Sequence, residues 1–159
     1  MFKFYIPYYV DCEEILYIDC DVFFKSDVTN DVLAKFDKDK HIFKIWNGNS
    51  GVIYFNNILY KEYNVLDEVI KYYELNSDTP TITVDNQAFA WLSFHSKFKQ
   101  NICKKSSKTI NNGGSFDDSN TSITEAYKHY ISEINIIHLW GNIAYKKMAL
   151  EYVYNYCMN

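Results

Sequence analysis

The sequence predicts an α/β fold in which short strands alternate with amphipathic helices. Three observations carry this. The apolar run Ile15–Ile18 has strand length and ends in carboxylates. The runs His41–Trp46, Val52–Phe55 and 134–138 (INIIH) are of similar length. Apolar residues recur at three- or four-residue spacing at Val28, Val32, Leu33 and Phe36, and again at Leu59, Tyr63, Leu66, Ile70 and Tyr73.

In chain order, Ile15–Ile18 reads as a buried strand that meets a loop at Asp19. Residues 28–36 read as a helix, with Asp27, Thr29 and Asn30 as capping groups. His41–Trp46 and Val52–Phe55 read as strands on either side of Asn47-Gly48-Asn49-Ser50-Gly51, which is turn chemistry. The repeat from Leu59 to Tyr73 is the clearest helix. Pro80 interrupts, and 84–94 reads as a loop that enters a second helix. Residues 104–124, rich in Ser, Asn and Gly, read as a flexible surface loop. A strand at 134–138 and a helix over 143–156 complete the chain, with no internal repeat.

The 159 residues suit a single domain, taken here as 1–159. With 48% hydrophobic and 23% charged residues, the composition is that of an ordinary globular protein. All 16 basic residues are Lys, and the net charge of −4 comes without a basic block, which argues against a nucleic-acid partner. No apolar run approaches the roughly 18 residues of a membrane span. The start, MFKFYIPYYVDCEE, has no small-residue cleavage site. Together these lead us to expect a cytoplasmic protein. Cys12, Cys20, Cys103 and Cys157 form no CxxC pair, so reduced thiols are expected and a zinc site is not. The sequon at Asn120 is expected to stay unused without a secretory signal.

The chemistry concentrates in Asp19-Cys20-Asp21. In extended backbone, residues i and i+2 point to one side, so the two carboxylates can converge at the end of the strand. Two hard oxygen ligands suit Mg²⁺ or Mn²⁺, with phosphate oxygens completing the shell. A dication there would neutralise a departing diphosphate. A Mg²⁺-dependent phosphatase is a minor alternative. Its pattern, a strand followed by DxDx[TV], is broken here by Phe23.

Further segments follow in a set order: Asn49-Ser50-Gly51 leading into a strand, Asp85-Asn86-Gln87 opening a helix, and His138-Leu139-Trp140-Gly141 after a strand. With the Asp pair, this order resembles glycosyltransferase family 8, enzymes of the GT-A fold that use nucleotide sugars. The resemblance covers roughly residues 5–147. It implies a mixed sheet flanked by helices, and transfer of a sugar from a nucleotide-diphosphate donor, a UDP-sugar in the first instance, to an acceptor with retention. It also implies that Asp19, Asp21 and His138 hold Mn²⁺ or Mg²⁺, a neutral imidazole nitrogen being acceptable beside two carboxylates.

By the same resemblance, Asn49 and Gly51 face the donor sugar, where Gly permits close backbone approach. In the family an Asp directly precedes the Gln and contacts the sugar near its anomeric carbon. Here either Asp85 takes that role with Asn86 inserted, or Asn86 has replaced the Asp; Asp85 and Gln87 are the catalytic candidates. Asp85 also reads as a simple helix cap. Gly141 would let backbone approach the diphosphate. The family's phosphate-binding Lys falls on Ala144 here; either Lys146 reaches in as its replacement or phosphate binding is weakened, and Lys146 and Lys147 also read as a solvated helix face.

Family members carry an α/β half before the DxD strand that holds the base and ribose. Only 18 residues precede Asp19 in this sequence, and 4–9 resemble the end of the helix leading into that strand. The resemblance therefore implies a truncated GT-A fold, expected as a fragment of a longer protein, one half of a split enzyme or a decayed gene product, with an uncovered sheet edge open to self-association or a separate N-terminal half as partner. A non-catalytic remnant or interaction subunit is the alternative to an active transferase.

Overall fold

A computed structural model describes residues 2–46, 49–76, 85–105, 110–112, 132, 135–139, 147 and 150–155. The chain opens with helix α1 (Phe2–Tyr9) and strands β1 (Glu14–Ile18) and β2 (Val22–Phe24), followed by α2 (Thr29–Leu33). Strands β3 (Phe43–Trp46) and β4 (Asn49–Asn56) lead to helices α3 (Asn57–Glu62), α4 (Val65–Leu75) and α5 (Asp85–Phe94). Strands β5 (Ile102–Lys105), β6 (Ile110–Asn112) and β7 (Ile136–His138) follow. The elements fall into two compact units, Met1–Ile18 with Ala34–Ser106, and Asp19–Leu33 with Ser107–Asn159.

The first unit is built on a mixed sheet of order β1-β4-β3-β5, antiparallel except for the parallel β3–β5 pair. Residues 52–55 of β4 are buried on both faces, as are all four residues of β3. Even Lys44 is fully buried; its Nζ donates to the Ala34 carbonyl at 2.7 Å and lies 4.8 Å from the Trp46 ring centroid. That contact gives the cation the partners burial demands. β1 departs from the buried strand expected from its apolar run. Leu16 and Ile18 are 42% and 40% exposed. Among the described residues β1 pairs with β4 alone, and only Ile15 and Tyr17 turn to the core.

Aromatic packing dominates that core. Phe4 stacks on Phe89 with centroids 4.2 Å apart, and Phe43 meets Phe89 edge-on at 5.4 Å. The buried Tyr60 hydroxyl donates to the Phe4 carbonyl at 3.1 Å. Burial holds this phenol well above its ordinary pKa.

The helix expected from Leu59 to Tyr73 is broken in two. Asn64 sits at φ 50°, ψ 51°, a left-handed conformation that no helix interior accommodates. The break resets the helical phase, so α4 buries Val65, Val69 and Tyr72, while Tyr63 is 40% exposed. α3 has its own start signal, because the Asn56 side chain accepts the Leu59 N–H at 3.1 Å. α5 appears where the sequence places it.

The second unit contains a mixed sheet of order β2-β7-β6, with β2–β7 antiparallel and β6–β7 parallel. Of the three capping groups offered for the first helix, Asp27 is used: its Oδ1 accepts the Thr29 N–H at 2.8 Å. That helix, α2, is shorter than the predicted 28–36, and Lys35 at φ 62° follows its end. Val22, Val28, Val32, Ile136, Ile137 and Val153 are buried in this unit. β6 falls inside 104–124, where the sequence suggests only a polar loop. Its strand character comes from pairing with β7, which its own composition does not announce. Residues 150–155 are helical, as expected for the tail.

Candidate functional site

The three residues expected to hold a metal come together within the second unit. One ligand atom from each of Asp19, Asp21 and His138 lies within 4.8 Å of the others. His138 Nε2 is 3.2 Å from Asp21 Oδ1 and 3.9 Å from Asp19 Oδ2. The His138 side chain is 7% exposed and the two Asp side chains 25%. The imidazole is thus supplied from the interior, and the carboxylates from the solvent side.

Local backbone explains this convergence, and corrects the extended geometry inferred from the DxD spacing. β1 ends at Ile18, and Asp19–Val22 form a turn closed by Val22 N–H donating to the Asp19 carbonyl at 3.2 Å. The chain then enters β2, where Val22 stands opposite His138 of β7. The Leu139 N–H donates to the Asp21 carbonyl at 2.9 Å, which extends the pairing to the turn. A turn next to a strand pair therefore does what an extended strand end was expected to do. Cys20, between the two carboxylates, is an exposed free thiol.

The donor-facing candidates lie in the first unit. Asn49 and Gly51 belong to strand β4, and are not part of the turn suggested by Asn47–Gly51. Asp85 is the first residue of α5 and is buried, at 9% exposure, whereas Gln87 is exposed. A carboxylate in the first helical turn complements the helix dipole, which is the capping contribution the sequence offers for it. Its negative charge is also felt by Tyr73: burial, and secondarily Asp85, push that phenol up to about 12. Gly141, Lys146, Trp140 and Asn120 lie outside the described residues.

Lys3, which the sequence did not single out, and Asn86, read there only as an insertion or an Asp replacement, both touch this region. Lys3 Nζ donates to Ser50 O at 3.0 Å and to Ser50 Oγ at 3.1 Å. The Ser50 N–H donates to Asn86 Oδ1 at 2.7 Å. The residue of Asp85-Asn86-Gln87 that meets the Asn-Ser-Gly segment through these bonds is thus Asn86. No periodicity or motif links positions 47 or 36 residues apart, so these contacts were legible only in three dimensions.

No protein-family model and no curated protein matches the sequence. Solved structures that resemble it include glycosyltransferases. The galactosyltransferase LgtC, in complex with donor and acceptor sugar analogues, aligns with a TM-score of 0.60 at 12% identity, over 98% of this chain and 65% of its own. A glycosyltransferase involved in glycosylation of the major capsid of PBCV-1 aligns at 0.56 and 13% identity, over 93% and 74%. The glycosyltransferase GlyE of Streptococcus pneumoniae TIGR4 aligns at 0.51 and 18% identity, over 67% of this chain and 27% of GlyE. This chain has the GT-A-type glycosyltransferase fold over the part it spans, a mixed α/β arrangement with sheets flanked by helices. It spans about a quarter of GlyE and about two thirds of LgtC. No helix among the described residues is long and apolar enough to cross a membrane.

Proposed function

We propose that this chain takes part in metal-dependent transfer of a sugar from a nucleotide-diphosphate sugar to an acceptor, with retention at the anomeric carbon. UDP-sugars are the first donors to consider. The observation that carries the reading is the Asp19–Asp21–His138 cluster on a GT-A-type fold. Two carboxylate oxygens and an imidazole nitrogen form a donor set suited to Mn²⁺, with Mg²⁺ the alternative. When bound, such a cation supplies charge neutralisation for a departing diphosphate.

The protein's own residues have distinct tasks in this reading. Asp19 and Asp21 contribute carboxylate oxygens to the cation, and His138 a neutral ring nitrogen. His138 itself is buried. Asn49 offers an amide to donor hydroxyls, and Gly51 lets backbone approach the sugar. Asp85 and Gln87 open α5 and are assigned to the sugar near its reacting carbon. Gly141 and Lys146 are assigned to the diphosphate. The activity of a whole enzyme of this kind belongs to the proposal, since the chain spans only part of the structures it resembles.

Thermal melting with Mn²⁺ and UDP tests the reading. Ligand at about 100 times its Kd should raise Tm by roughly 5–10 °C for a domain of this size. The rise should need the metal and vanish in Asp21→Asn. A folded protein with no metal-dependent shift would favour a non-catalytic relative of the transferases.

A further inference from the structure

β4 is irregular where it carries Asn49, Ser50 and Gly51. Asn49 stands opposite Trp46 of β3, yet Ile53 stands opposite Ile45, the next residue back. The register shifts between these two pairs, and Ser50 stands opposite no residue of β3 in it. Val52 is taken up by Ile18 of β1 on the other side, but the β1–β4 register ends there. Ser50 thus sits in a bulge, outside the register of either neighbouring strand. Bulges of this kind re-aim side chains and gather near functional sites.

Side chains meet the polar groups of Ser50. The Ser50 N–H goes to Asn86 Oδ1 of α5 at 2.7 Å. Its carbonyl and hydroxyl receive Lys3 Nζ of α1 at 3.0 and 3.1 Å. Ser50 itself is 4% exposed, so its backbone groups need these partners. One residue of the strand is clamped from two helices, and the residues on either side of it are Asn49 and Gly51.

We infer that Asn86 and Lys3 are positioning residues: they hold the bulge at Ser50, and through it fix Asn49 and Gly51 against the donor sugar. The inference rests on the functional reading above. It assigns Asn86 a task that depends on its acceptor oxygen alone, one that a carboxylate at that position performs equally well. It therefore separates Asn86 from its two neighbours, Asp85 and Gln87, which are assigned to the sugar itself.

The test compares binding of UDP with binding of UDP-glucose, UDP-galactose and UDP-N-acetylglucosamine, all with Mn²⁺, by calorimetry on the full chain. Hydrogen exchange of the Ser50 amide is followed in parallel. Asn86→Ala should weaken the preferred UDP-sugar about tenfold and leave UDP within about twofold of wild type. Lys3→Met should act in the same direction. Asn86→Asp should restore sugar binding and slow Ser50 exchange, because it keeps the acceptor oxygen. If wild type binds no UDP with Mn²⁺, or binds no UDP-sugar better than UDP, the functional reading fails and this inference with it. If wild type discriminates and Asn86→Ala binds every ligand as wild type does, the positioning role alone is wrong. Equal losses for UDP and UDP-sugar in Asn86→Ala would also overturn it, by indicating general damage to the fold.

Discussion

Asp21 and His138 stand 3.2 Å apart through a backbone arrangement that does not depend on their side chains. Leu139 donates to the Asp21 carbonyl, and His138 faces Val22 across the β2–β7 pair. Removing one carboxylate charge should therefore leave the cluster's shape intact. We expect Asp21→Asn to change stability in the absence of metal by less than about 1 kcal/mol. Mn²⁺ affinity, measured by calorimetry, should drop at least tenfold, or about 1.4 kcal/mol. Metal-dependent sugar transfer should be lost. An unchanged Mn²⁺ affinity would remove Asp21 from the ligand set.

Asn64 makes a second, independent expectation. Its left-handed backbone separates α3 from α4, and its Nδ2 donates to Asp67 Oδ2 at the start of α4. Asn64→Gly should be near neutral, since Gly adopts this conformation without a Cβ clash. Asn64→Val should cost about 1–2 kcal/mol, because a β-branched residue resists it. Urea unfolding of the two variants checks this. Equal stabilities would mean that the break survives for another reason.

His41 gives the fold a pH dependence near neutrality. Its Nδ1 accepts the Asp37 N–H at 2.8 Å, which requires that nitrogen unprotonated. Burial lowers its pKa below the ordinary 6.5; the Asp37 charge opposes this, and Lys40 and Lys44 reinforce it. A folded pKa below the unfolded one means that the contribution is complete above 6.5 and is lost as pH falls through the folded value. We expect the urea midpoint to fall between about pH 7.5 and about pH 5, and His41→Gln to flatten that slope. Glu14 and Glu68 are also lowered, chiefly by hydrogen bonds from Lys38 and Lys71, but from an ordinary value of 4.5, so they act in a more acid window. Identical slopes in the two proteins would sink the assignment to His41.

The sequence made some of this legible for definite physical reasons. Strand-length apolar runs exposed β3 and residues 52–55 of β4, which are buried on both faces and, Lys44 aside, apolar. The candidate Asp pair was legible because two carboxylates follow an apolar run at a spacing of two, whereas His138 joined it only through the ordered motifs of the family resemblance. What stayed hidden was non-local. The polar β6 is a strand because β7 lies beside it. The Asn64 break was masked by a hydrophobic period that runs through it, since Tyr63 and Leu66 keep the spacing while the backbone does not. Lys3 carried no sequence signal, and Asn86 entered only as an insertion after Asp85 or a replacement for the family's Asp. Only the fold brings them to Ser50.

Phe89 links the core to the segment that opens α5. It lies one turn after Asp85 and Asn86, is fully buried, and packs on Phe4 of α1 and Phe43 of β3. The helix start can keep its place beside Ser50 only if this anchor holds the first turn against the sheet. Phe89→Ala should therefore cost about 3–5 kcal/mol, combining lost burial with the cavity left behind. Phe89→Leu, which refills most of the volume, should cost about 1–2 kcal/mol. Tyr154, 60% exposed, serves as the control: Tyr154→Ala should stay within about 0.5 kcal/mol of wild type. Urea unfolding with a shared m-value gives all three numbers. The Ser50 amide should exchange faster in Phe89→Ala, because displacing α5 carries Asn86 away from it. A loss below about 1 kcal/mol in Phe89→Ala would mean that α5 does not depend on this aromatic contact, and the coupling between the core and the bulge would have to be abandoned.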